Sequence, residues 1–77
     1  MNKNITRSML TNSMFLGLPI ALWASIGDGR FALVNGRVVG ISLESSPPSG
    51  RPACSFNVEI VSNKTNKQFQ TYVRTID

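Results

Sequence analysis

Two runs of alternating residues near the carboxyl end restrict the folds open to this 77-residue chain. In residues 54–60 and again in residues 68–76, every second residue is apolar or small, as in a strand that buries one face. Six polar residues, SNKTNK at 62–67, connect the runs as a hairpin turn does. The pattern predicts two antiparallel strands. The polar face of the second strand carries Gln70, Tyr72 and Arg74.

A longer strand is predicted before these two. The segment RFALVNGRVVGISL, residues 30–43, is rich in valine, leucine and isoleucine and is interrupted by Gly36 and Gly40. Such interruptions are typical of a strand bent by a bulge or by a close backbone approach. The next segment, ESSPPSGRP at 44–52, holds three prolines and a glycine and is predicted to be a loop. The sequence therefore predicts an all-β fold, a three-stranded antiparallel meander over residues 30–77.

Residues 1–29 differ in composition from the rest and form a separate apolar N-terminal segment. Two basic residues precede MFLGLPIALWA, residues 14–24, which is too short for a membrane span of about 20 apolar residues. One interpretation is a secretory signal peptide. The other is a packing element on the meander, with Pro19 giving a kink or an edge. Methionine, leucine and alanine favour a helix here whereas Gly17 and Pro19 oppose it, so helix and strand both remain open.

The composition argues against an enzyme. The chain has no histidine, four acidic residues and one cysteine, so the usual groups for acid–base catalysis or metal binding are scarce. We expect a binding protein with no cofactor and no metal ion. Cys54 lacks an internal disulfide partner, which favours the cytoplasm, and its apolar phase predicts a buried core position.

The charge balance suits a polyanionic partner. Eight basic and four acidic residues give a net charge of +4. The basic residues are scattered along the chain, and the same balance would also serve solubility.

Three segments, LVNGRVVG (33–40), PSGRPACSFNVEI (48–60) and QFQTYVRT (68–75), together resemble a known family. They are similar to bacterial single-stranded DNA-binding proteins of the OB-fold class, and most closely to the primosomal replication protein B branch. The residues that carry the resemblance are Leu33, Val34, Asn35, Gly36, Pro48, Ser49, Gly50, Pro52, Cys54, Phe56, Gln70 and Tyr72.

The resemblance implies a partial OB-fold. An OB barrel has five strands, whereas this chain ends at Asp77, directly after the third predicted strand. An open sheet exposes unpaired edges. We expect either that residues 1–29 fold back over these edges, that a second chain covers them, or that the protein is a truncated relative of low stability.

The resemblance also implies a nucleic-acid site. Tyr72 takes the position of an aromatic residue that stacks on a base, and Arg74 on the same face supplies a cation for phosphate. The hairpin between the last two strands is a flexible finger in this family. The further basic residues implied at the site are Arg51 in the loop, Arg37 beside Gly36, and Lys64 and Lys67 in the hairpin. Phe56 and Phe69 are predicted core residues, Trp23 a packing residue, and Phe31 stays unassigned.

These inferences predict a cytoplasmic accessory protein of replication, primosome assembly or plasmid maintenance. It would bind single-stranded DNA, or RNA, without sequence preference and would act as a homo-oligomer. One alternative is an exported or envelope-associated β-domain, secreted or periplasmic, whose first roughly 25 residues are removed or lie at the membrane. Another is a self-assembling interaction subunit that uses its sheet edges.

Overall fold

A computed structural model describes residues 2–43 and 55–77, and in this part of the chain it shows one helix and four strands. The elements are α1 (Arg7–Leu16), β1 (Ile20–Gly27), β2 (Arg30–Leu43), β3 (Ser55–Ser62) and β4 (Gln68–Arg74). The strands form one antiparallel sheet in the order β1, β2, β3, β4. The sheet curls into a half-barrel, so that the outer strands β1 and β4 also contact each other.

The three predicted strands are present, and so is the predicted irregularity in the first of them. The pairing of β2 with β3 shifts register between Val38 and Gly40, which marks a bulge. Gly36 is buried against the backbone of Val61 in β3. On β4 the predicted alternation is confirmed, because Thr71 and Val73 are buried while the residues between them are exposed.

The sheet has one strand more than the predicted three-stranded meander, because the N-terminal segment, for which helix and strand were both open, adds a fourth. Strand β1 pairs with β2 from Ile20 opposite Gly36 to Gly27 opposite Arg30. Its backbone hydrogen bonds cover the edge of β2 that the three-stranded meander would expose. Of the three expectations for the open sheet, the first is therefore met at this edge, because the N-terminal segment folds back over it.

The N-terminal segment contains both a helix and a strand. Helix α1 begins after Thr6, whose hydroxyl accepts a hydrogen bond from the Met9 N–H (3.2 Å), and ends at Gly17, whose N–H donates to the Ser13 carbonyl (3.0 Å). Pro19 then separates the helix from β1. The apolar run 14–24 is therefore divided between two elements. No helix in residues 2–43 and 55–77 is long and apolar enough to cross a membrane.

The core lies between the inner face of the curled sheet and α1. Its fully buried side chains come from all four strands and the helix, and include Leu10, Leu22, Val38, Val58, Ile60 and Val73. Phe56 and Phe69 pack against this cluster, which confirms their predicted core positions. The inner face is thus filled, and any large ligand must bind outside it.

The Ser13 hydroxyl links α1 to β2 through a hydrogen bond. Strand β1 starts opposite Gly36, so it does not reach the Val38 N–H. This N–H donates instead to the buried Ser13 hydroxyl (2.9 Å), which itself donates to the Leu18 carbonyl (2.7 Å). One side chain thereby satisfies two backbone groups and sets the position of α1.

Side chains bridge β1 and β4 where the half-barrel closes, a contact we call the seam. The Trp23 N–H donates to Asn2 Oδ1 (2.7 Å), while the Trp23 carbonyl accepts from Asn2 Nδ2 (3.1 Å) and from the Thr71 hydroxyl (2.7 Å). The Asn2 amide therefore makes the pair of bonds that a partner strand would make. The chain ends are joined nearby, since the Ile76 N–H donates to the Ile5 carbonyl (2.9 Å).

Candidate nucleic-acid interface

An open groove lies on the outer surface of the half-barrel at the seam. Its volume is about 360 Å³, which is at the lower end of the range of about 300–1,000 Å³ seen for ligand sites. The lining residues are Asn2, Trp23, Ser25, Phe31, Gln70, Thr71 and Tyr72. We call it the aromatic groove, because three of the seven are aromatic.

Strand alternation places the three rings outside. Trp23 lies between buried Leu22 and Ala24 on β1, and Tyr72 lies between buried Thr71 and Val73 on β4, so both point away from the core. Phe31 projects from β2 opposite Ser25. The exposed fractions are 39% for Trp23 and 52% each for Phe31 and Tyr72. Three large, exposed rings converge on one groove, and such a patch is typical of a binding site.

The rings stand on a backbone that is held in place. The bonds from Asn2 and Thr71 fix the Trp23 peptide groups at the seam. On β4 the Gln70 amide donates to Asn57 Oδ1 (2.7 Å), and Asn57 is the residue opposite Tyr72 in the ladder. The groove is therefore preorganised, and a ligand would lose little free energy in ordering it.

Cations lie at the margin of the groove. None of the described residues that line it is charged. Arg74 is the next outward position after Tyr72 on β4, about 7 Å further along the strand. Lys3 adjoins Asn2, and both basic residues are exposed. Arg30 is also exposed, but it directly precedes Phe31 in β2, so strand alternation directs its side chain to the opposite face. The groove thus has a neutral aromatic lining with Arg74 beside it on β4.

The structure brings together only part of the predicted site. Tyr72 and Arg74 share the outer face of β4, as expected. Arg37 is also exposed, but it lies opposite Val61, six residues along β2 from Phe31 and so about 20 Å from that ring. Predicted Arg51 lies outside the described residues, as does Cys54 with its predicted core position.

Lys64 and Lys67 lie in a short, hydrogen-bonded turn between β3 and β4. The Ser62 N–H donates to the Lys67 carbonyl (2.9 Å), and the Ser62 hydroxyl accepts from the N–H groups of Lys64 (3.2 Å) and Thr65 (3.4 Å). The connection is thus a compact turn, and the flexibility that the resemblance implied for it stays a prediction. Neither lysine lines the aromatic groove.

Two groove residues were missed by sequence reasoning. Trp23 was interpreted as a packing residue, and its exposure in the groove corrects this; Phe31 had no assignment. A usable signal was present in Asp28-Gly29, since Asp-Gly between two strand-like runs is a strong hairpin signal. Both residues have positive φ, 53° and 69°, as a type I′ turn requires. Recognising this hairpin would have paired β1 with β2, but it would not have placed Trp23 and Phe31 on one face. They share a face because the pairing shifts register between Ser25 and Gly27, which sets Trp23 opposite Leu33.

The structure also bears on other classes of site. Among the described residues, no three histidine, cysteine, aspartate or glutamate side chains are grouped in a way that could hold a metal ion.

Comparison of the chain with protein-family models, curated proteins and solved structures finds no match.

Proposed function

We propose that this protein binds single-stranded nucleic acid, with bases stacked in the aromatic groove. The observation that carries the proposal is the convergence of Trp23, Phe31 and Tyr72 on one open surface at the seam. Arg74, on the same face of β4 as Tyr72, would contact a phosphate. The function is binding and not catalysis.

The chemistry of a single strand matches this arrangement. Each base has two flat faces that stack on aromatic rings, and stacking contributes about 1–3 kcal/mol per base. Phosphates require cations, and the net charge of +4 attracts a polyanion over a distance. Stacking is tolerant of sequence because every base has a π face, so we expect binding without strong sequence preference.

Further parts of the proposal rest on sequence alone. The register of the segments 33–40, 48–60 and 68–75 supports relationship to the OB-fold single-stranded DNA-binding proteins, and with it a role in replication or plasmid maintenance. The groove departs from the usual OB-fold site. It lies across the closing seam, whereas OB-folds bind on the face of their second and third strands.

A fluorescence titration tests the proposal directly. Trp23 is the single tryptophan of the chain and lies in the groove, so a thymidine oligonucleotide should quench its emission. Tyr72→Ala and Phe31→Ala should each weaken binding about 5- to 150-fold, the equivalent of one lost stack. Phe15→Ala is the matched control, because Phe15 is 75% exposed on α1 and does not line the groove.

Salt provides the second test. Affinity should fall as salt rises, because binding releases counterions from the phosphates. Arg74→Gln should reduce this salt dependence, whereas Tyr72→Ala should leave it unchanged. Absence of quenching at low salt, or equal losses for Phe15→Ala and Tyr72→Ala, would rule out the groove as the site.

A further inference from the structure

Strand β2 is longer than its partner β3, and this leaves part of one edge unpaired. β3 pairs with β2 only from Gly36 to Leu43. The preceding half of β2, from Arg30 to Asn35, pairs with β1 on its other side. Among residues 2–43 and 55–77, no strand pairs with this half of β2 on the side toward β3.

The hydrogen bonds show which groups point to the unpaired side. In an antiparallel strand the N–H and C=O of one residue point to the same side, and successive residues alternate. The Asn35 carbonyl accepts from the Asn63 N–H (2.9 Å), so Asn35 points toward the β3 side, and Leu33 and Phe31 do too. Trp23, opposite Leu33 on β1, bonds to Asn2 and Thr71 on the side away from β2, as this alternation requires. The backbone groups of Phe31 and Leu33 therefore form an open strand edge.

A cleft of about 290 Å³ lies beside this edge. We call it the edge cleft. Its lining residues are Ile26, Ala32, Leu33, Val34, Asn35, Ser62, Asn63, Lys64, Thr65 and Phe69. The floor is apolar, and Lys64 is the one charged residue among those described that line it. The part of the chain that the structure describes places no ion-pair partner beside Lys64.

We propose that the edge cleft binds an extended peptide that adds as a strand to β2 beside Phe31 and Leu33. Strand addition supplies main-chain hydrogen bonds, and pockets for alternate side chains supply specificity. An apolar side chain of the peptide would lie on the floor at Phe69, and a carboxylate at the end of the peptide would face Lys64. The partner is thus a short extended segment that ends in an acidic group.

Local charge favours a peptide that ends in a carboxylate. Lys64, the one charged residue among those described that line the edge cleft, attracts an anionic group. The edge cleft and the aromatic groove share no lining residue, although Phe31 contributes its ring to the groove and its backbone to the strand edge. Tyr72 belongs to the groove alone and Lys64 to the cleft alone, so variants at these two residues test the two proposals separately.

The test uses ¹⁵N-labelled full-length protein and an acetylated peptide of alternating valine and threonine that ends in aspartate with a free carboxylate. The amide signals of Phe31, Leu33 and Lys64 should shift on titration, and hydrogen exchange at Phe31 and Leu33 should slow. Changing the terminal aspartate to asparagine amide removes its negative charges without adding a positive one, and should weaken binding about tenfold, the loss of one charge-assisted contact to Lys64.

Two pairs of variants separate the contributions. Leu33→Pro removes the outward N–H without removing a β1–β2 hydrogen bond, and should weaken binding about tenfold. Leu33→Ala keeps this N–H and only shortens a side chain that lines the cleft, so it should bind the peptide more tightly than Leu33→Pro does. Lys64→Gln should weaken binding, and Lys67→Gln, in the same turn but outside the cleft, should not. The lysine pair keeps the test decisive should Leu33→Pro fold poorly.

Three results would overturn the proposal. The first is no shift at Phe31 or Leu33 with millimolar peptide, and the second is equal binding by Lys64→Gln and Lys67→Gln. The third is a shift of the same amides with protein concentration alone, which would make a second copy the occupant. Tyr72→Ala should leave peptide binding unchanged, so failure here is distinguishable from failure of the nucleic-acid proposal.

Discussion

Substitution of Gly36 by alanine should destabilise the protein far more than the same change at Gly40 in the same strand. A Cβ on Gly36 would meet the Val61 carbonyl carbon at 2.7 Å and Ser62 Cα at 3.1 Å, and the Val61 oxygen would be closer still. Ordinary contact begins near 3.4 Å, so the carbonyl carbon alone is 0.7 Å too near. These are backbone atoms of the paired strand, and relief requires β2 and β3 to separate.

The expected loss is about 3 kcal/mol, the upper part of the usual range for overpacking. A domain of 77 residues has a total stability of about 4–12 kcal/mol, so the loss is a large fraction of the whole. At Gly40 the nearest atom is Glu59 Oε2 at 3.1 Å, the end of a flexible side chain that accepts a hydrogen bond from Gln68 (2.9 Å). Gly40→Ala should therefore change the free energy of unfolding by less than about 1 kcal/mol. Alanine also lowers the conformational entropy of the unfolded chain, which offsets part of any loss in the folded state.

Urea unfolding followed by Trp23 fluorescence measures both variants against the parent protein. The midpoint for Gly36→Ala should fall strongly, with the slope unchanged if only the folded state is affected. Because β1 and β4 meet only when the sheet between them is intact, forcing β2 and β3 apart should also weaken oligonucleotide binding at the seam. Equal unfolding midpoints for the two variants would show that the close backbone approach at Gly36 does not require glycine there.

Three further expectations concern the helix, the first turn and assembly. Ser13→Ala leaves the buried Val38 N–H unpaired and should cost about 1–3 kcal/mol in urea unfolding, while Ser8→Ala, exposed on the same helix, should cost less than about 0.5 kcal/mol. Gly29→Ala places a side chain at φ 69° with no atom within 4 Å, so its cost of about 1–2 kcal/mol should come from the backbone alone; no loss in urea unfolding would contradict a type I′ turn. Sizing chromatography should show a homo-oligomer, and elution as a monomer at all concentrations would contradict that prediction.

The sequence predicted the strands because their pattern is local. Alternation over residues 68–76 is enough to separate buried Val73 from exposed Tyr72, and it needs no knowledge of neighbouring strands. Turn chemistry is also local. Asp28-Gly29 specified the first hairpin, although its dipeptide was not used in predicting the strands.

The N-terminal segment was harder to predict because its two elements are short and both apolar. The apolar run 14–24 contains the end of α1 and the start of β1. Neither the helical period of 3.6 residues nor the strand period of two residues is therefore visible across it. Gly17 and Pro19, which argue against a continuous helix, in fact mark the boundary between the two elements. The local signals at Gly17 and Pro19 show where the helix ends. Only the pairing with β2 determines that the next segment is a strand.

Sequence alone determined that this chain forms antiparallel strands with Tyr72 and Arg74 on an outward face, because side-chain direction in a strand follows from its period of two. Only the tertiary structure decided that Trp23 and Phe31 join Tyr72, since curling of the sheet brings β1 beside β4, which are distant in sequence. The tertiary structure also decided that β2 has an unpaired edge, since β3 ends opposite Gly36 whereas β2 begins at Arg30. Both surfaces depend on where strands meet and end, and long-range packing determines this.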